Sequence, residues 1–74
     1  MKLNELNKLI LNLENRGEFY LLSTYYNQRS HLIASLAQKM KSDISKLISS
    51  EGLSSLNPEQ FQIAQYLESR GELR

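Results

Sequence analysis

Gly17 and Gly52 bracket a stretch with no glycine and no proline, and that stretch constrains the fold more than anything else in the chain. It holds roughly 34 residues, which as one α-helix would be about 50 Å long at ~1.5 Å per residue. A compact globule of 74 residues has a radius of gyration of about 11 Å, hence a diameter of roughly 30 Å. The helix would overhang its own domain. Either it breaks near Ser42-Asp43, or another chain covers the apolar face that it leaves open.

A single domain spanning 1–74 is expected, and a chain this short buries only about 60% of the surface it exposes when unfolded. Domains of this size need a staple: disulfides, a metal, oligomerisation or close helix packing. Cysteine is absent and His31 is the one imidazole, so disulfides are excluded and no metal or cofactor is expected. Oligomerisation and helix packing remain. The composition, 41% hydrophobic and 23% charged, suits a folded soluble chain rather than a disordered one. A net charge of +1 gives no strong field to steer phosphates. The N-terminal segment places Glu5 and Asn7 within an amphipathic pattern, unlike the apolar core of a secretory leader. No apolar run is long enough to span a bilayer, so a cytoplasmic protein is expected.

Period and punctuation predict three helices. In the first, about 3–16, Leu3, Leu6, Leu9, Ile10 and Leu13 form one stripe at spacings of three and four. Gly17 ends it in the left-handed conformation, with Arg16 at the negative end of the dipole. The second, about 19–50, carries apolar residues close to a heptad from Phe19 and Leu22 to Leu47 and Ile48, interrupted by Arg29 and Asp43. Ser42-Asp43 could cap a new helix there and make four helices of three. Gly52 is expected to end this segment as Gly17 ends the first, with Leu53–Leu56 a loop. The third helix, about 58–70, has a strong start: Asn57 caps, Pro58 takes the first position and Gln60 can reach back to complete a capping box. No segment alternates with period two, so the fold class is all-α, a small helical bundle around a long central helix.

Leu13-Glu14-Asn15-Arg16-Gly17-Glu18-Phe19 recurs as Leu67-Glu68-Ser69-Arg70-Gly71-Glu72-Leu73. The segments preceding the two copies share little, so the recurrence reads as one good helix ending used twice. The first copy resembles the turn of a tetratricopeptide-type helical hairpin, with Gly17, Phe19 and Tyr26 where that pattern has glycine and two aromatics. The small residues of the pattern fall instead on Ile10, Leu22 and Arg29, and there is no 34-residue period. The resemblance implies local geometry alone: helix one folds back antiparallel on the start of helix two.

Catalytic chemistry finds little to work with. On a helix His31 has Asn27, Gln28, Ala34 and Ser35 as neighbours, with no orienting carboxylate. The Glu14/Glu18 and Glu68/Glu72 pairs straddle helix-ending glycines, where solvent screens them from the burial that raises a carboxyl pKa. No catalytic residue is assigned. Among the aromatics, Phe19 and Tyr26 are read as core and Tyr20 and Tyr25 as interface. Aromatics with a nearby Arg are the residue types that anchor interfaces. The expected interface is Tyr20, Tyr25, Arg29, Leu32, Ile33, Leu36, Met40 and Leu47, a seam that two-fold pairing would cover with one patch per subunit. The function matched to this is non-enzymatic: a protein–protein interaction module, acting as a homodimer toward another protein, as a small regulator, adaptor, inhibitor or secretion-type chaperone. The alternative is a dimeric DNA-binding regulator using Lys39, Lys41 and Lys46, a modest patch by the standard of phosphate-binding clusters. Lys2 and Lys8 are mixed with Glu5 and Glu14, so no membrane-surface role is expected.

Overall fold

A computed structural model describes residues 2–73. Among them it contains three α-helices and no strand: α1 (Leu3–Asn15), α2 (Leu22–Glu51) and α3 (Pro58–Ser69). The 30-residue α2 runs unbroken through Ser42 and Asp43. Both residues are exposed, and each costs a helix interior no more than about 0.7 kcal/mol relative to alanine. A break would leave four amides and four carbonyls to satisfy. With neither glycine nor proline to force it, continuation wins. The chain divides into two compact units, Met1–Leu32 and Ile33–Arg74.

The first unit is a helical hairpin. Leu3, Leu6, Ile10 and Leu13 are the buried stripe of α1. Leu6, Ile10 and Leu13 form a cluster with Leu22, and Leu9, Leu21, Tyr25 and Leu32 pack around it. The reversal is a Schellman turn: the Gly17 amide donates to the Glu14 carbonyl at 3.2 Å and the Glu18 amide to the Leu13 carbonyl at 2.9 Å. A 3₁₀ turn over Phe19–Leu21 then leads into α2. The limbs run antiparallel, since Glu14 meets Tyr26 while Asn7 meets Arg29 further along both. This is the local geometry that the tetratricopeptide-type resemblance implies.

The expectation that Phe19 and Tyr26 are core is corrected here. Phe19 is 65% exposed, and Tyr26 lies on the rim with its ring partly in solvent. The apolar stripe of α1 ends at Leu13, so Phe19, level with the turn, has no apolar side chain of α1 opposite it. Its ring edge lies beside Gly17, where a Cβ would stand only 3.9 Å away.

The second unit contains the later part of α2, a connection and α3. Ala37 and Ile44 of α2 are fully buried, as are Ile63 and Leu67 of α3, with Ala64 nearly so. Gly52 does not end α2 as Gly17 ends α1. Its amide donates to the Leu47 and Ile48 carbonyls, and φ 87°, ψ 171° is a region that glycine alone occupies readily. The extended ψ throws the chain outward rather than closing a Schellman turn. The expected Leu53–Leu56 loop begins as a 3₁₀ turn, Leu53–Ser55. The α3 start is as expected: Asn57 Oδ1 accepts from the Gln60 amide at 2.8 Å, and Gln60 Oε1 accepts from the Asn57 amide at 3.0 Å. At the other end, Gly71 and Glu72 repeat the Schellman pattern on Glu68 and Leu67. No helix among the described residues is long and apolar enough to cross a membrane.

Candidate interaction surfaces

The repeated helix ending folds the same way twice, down to its side chains. Arg16 donates to Glu18 at 2.8 Å and Arg70 to Glu72 at 3.0 Å. The glycine lets each Arg-X-Glu pair close across the turn. In the second copy the Arg70 guanidinium also lies 5.5 Å from the Tyr66 ring centroid. Glu72 holds the Arg70 guanidinium charged and above its ordinary pKa, mainly through this hydrogen bond. Glu72 reaches back with its other oxygen to Lys41 Nζ on α2, at 3.6 Å.

In the first unit the polar groups between the limbs are engaged. Tyr26 Oη donates to Glu14 Oε2 at 2.7 Å, and Arg29 lies over the Tyr26 ring at 5.2 Å while donating to Asn7 Oδ1 at 3.3 Å. Of the expected interface residues here, Tyr25 and Leu32 pack against the Leu6–Ile10–Leu13–Leu22 cluster, and Arg29 is tied to α1. Only Tyr20 projects freely, at 77% exposure, next to exposed Phe19. Two of the four residues assigned to a partner in this half thus serve the hairpin's own core.

The second half of α2 presents two flanks. Ala37 and Ile44, seven residues apart, mark the buried line. With ~3.6 residues per turn, Ile33, Met40, Leu47 and Leu36 fan out on one side of that line and Ile48, Lys41 and Ser45 on the other. Ile33, Leu36, Met40 and Leu47 are all partly buried. This is the remainder of the expected interface, four apolar side chains neither in the core nor fully in solvent. The opposite flank meets the connection and the end of α3 in a groove of about 330 Å³, lined by Ser45, Ile48, Ser49, Leu53, Glu68 and Leu73. Sequence reasoning missed this groove. No single segment signals it, because it joins α2 to the connection and to the end of α3.

The Lys patch is reduced. Lys41 pairs with Glu72, leaving Lys39 and Lys46 as exposed cations. His31 is exposed, and the described residues hold no group of three His, Cys, Asp or Glu placed to bind a metal. Comparison with protein-family models, curated proteins and solved structures finds no match to the chain.

Proposed function

We propose that this chain is a non-enzymatic protein–protein interaction module that pairs with a second copy of itself through Ile33, Leu36, Met40 and Leu47 of α2. One observation carries the reading. These four apolar side chains line one flank of an unbroken helix, and all four keep partial access to solvent. Each Leu or Ile fully buried by a partner contributes about 1.5–3 kcal/mol, so a few suffice to favour association of a small domain. The flank is self-complementary in chemistry, and two-fold pairing covers it with one patch per subunit. A module of this build acts by presenting helical faces, as a small regulator, adaptor, inhibitor or secretion-type chaperone does.

Sedimentation equilibrium tests the pairing. The parent chain is expected to sediment as a dimer, and the Ile33→Glu, Leu36→Glu double variant as a monomer with weakened helical circular dichroism. Because that variant could unfold, Met40→Glu alone serves as the milder probe and should raise the dissociation constant at least about tenfold. A parent that sediments as a monomer, or variants that stay as large as the parent, would overturn the reading.

A further inference from the structure

We propose that the second copy of this chain lies antiparallel on α2, with the two-fold axis level with Lys41 and Ser42, and that Asp43 of each copy pairs with Lys39 of the other. This inference rests on the pairing reading and adds to it a direction, a register and a polar determinant.

At about 100° per residue, the flank passes outward from the buried Ala37–Ile44 line through Ile33, Met40, Leu47 and Leu36 to Asp43. Lys39 follows about 40° beyond Asp43. Asp43 and Lys39 are both exposed, and neither enters an ion pair among the described residues. The outer edge of the apolar flank is therefore a carboxylate with an ammonium group behind it. All of these residues belong to the unit that begins at Ile33, and α2 ends at Glu51.

Two-fold symmetry offers two ways to cover such a flank. A parallel pair sets the two Asp43 carboxylates level with each other across the seam and turns each Lys39 away from the other copy's Asp43. Like charges set opposite each other oppose association. An antiparallel pair turns about an axis perpendicular to both helices, so like edges face each other with their order reversed. Centred on Lys41 and Ser42, the span from Ile33 to Ser50 covers itself end to end. Leu36 then faces Leu47 of the other copy on both sides of the axis. Each Asp43 lies only about 1.5 Å in level from Lys39 of the other copy, whose stem can cross Met40 while its charge reaches the carboxylate. Sliding the copies by about seven residues toward their N-termini would set Asp43 against Ile33 and move it about 9 Å in level from Lys39. Charge complementarity and apolar contact thus favour one direction and one register.

The chain has no cysteine, so introduced thiols report the geometry without background. Leu36→Cys and Leu47→Cys are prepared separately, one of them isotope-labelled, then mixed, left to exchange subunits and oxidised. A disulfide requires Cα atoms within about 7 Å. In the antiparallel register each introduced thiol lies roughly 16 Å in level from its own counterpart. Neither variant should therefore cross-link alone, and the mixture should give the mixed disulfide in mass spectrometry. For the ion pair, Asp43→Lys and Lys39→Glu should each raise the dissociation constant about threefold at low salt. Both positions are exposed, so circular dichroism should show folded variants. A mixture of these two should favour the heterodimer over random exchange, because only the mixed pair restores both contacts. An attraction within one helix cannot produce that preference. The proposal fails if either cysteine variant cross-links to itself, as a parallel pair requires, if the mixture gives no mixed disulfide, or if the charge variants exchange at random. Against a dimeric parent, each of these results removes the orientation and leaves the pairing standing. A parent that sediments as a monomer overturns both and gives the flank to a different protein.

Discussion

The Tyr26 hydroxyl, 2.7 Å from the Glu14 carboxylate and with Arg29 over its ring, ties the two limbs of the first unit at their rim. The hydrogen bond to Glu14 is the main cause that raises the Tyr26 pKa above its ordinary value, with desolvation and the Glu14 charge adding and Arg29 opposing. A tyrosine with a raised folded-state pKa holds its proton more tightly when folded. Its contribution to stability is complete below the unfolded value of about 10 and is lost as pH rises through the folded value. Urea unfolding of the parent and Tyr26→Phe should therefore differ at pH 8, in favour of the parent, and the gap should narrow above pH 10. A gap that is constant across this range would show that the hydroxyl does no work between the limbs. The glycines make a second residue-scale prediction. Gly17 has φ +72° and only an ordinary contact for an added Cβ, and Gly52 has φ +87° and open space, so any cost of alanine lies in the backbone. Gly17→Ala should cost about 1–2 kcal/mol, the left-handed penalty for an L-residue. Gly52→Ala should cost more, since its extended ψ falls where residues other than glycine rarely go. Equal costs in thermal unfolding would contradict the distinction between the two helix endings.

At the scale of elements, the helix ends were legible because their chemistry is local. Asn57, Pro58 and Gln60 form the reciprocal cap that their order predicts, and Asn57→Ala should lower stability by about 1 kcal/mol in denaturant titration. Retained stability in that variant would mean that packing rather than capping fixes the start of α3. Gly17 and Gly71 end their helices through the same bonds because the same seven-residue pattern surrounds them. The α2 continuity was the harder element to read. Ser42-Asp43 offers a good cap, yet a cap stabilises a helix only where the chain already turns, and no neighbouring residue turns it. Gly52 shows the converse: glycine marks an ending, but which glycine-only conformation it takes depends on what the chain does next. Here the next step is an extended exit into the Leu53–Ser55 turn rather than the tight reversal that follows Gly17.

For the molecule as a whole, the informative contrast is between what the heptad-like pattern of α2 promised and how the chain spent it. Tyr25, Leu32 and Arg29 were read as available to a partner, yet α1 takes up all three through its apolar stripe and Asn7. Ile33, Leu36, Met40 and Leu47 remain partly open, and the proposed pairing rests on them. The groove on the other flank was invisible in any single segment, since it joins α2 residues to Leu53 and to the far end of α3. The sequence by itself determined the all-α class, the order of the helices and the capped ends of α1 and α3, because period, caps and helix-breaking residues act on neighbours within a turn or two; it left the continuity of α2 and its 3₁₀ start open. Only the tertiary structure decided which apolar residues are core and which are surface. Burial is set by side chains distant along the chain, and a stripe carries no mark of how far the helix opposite it extends. Phe19 shows this most directly: it continues an apolar pattern, but α1 supplies nothing apolar opposite it beyond Leu13, and its ring faces water.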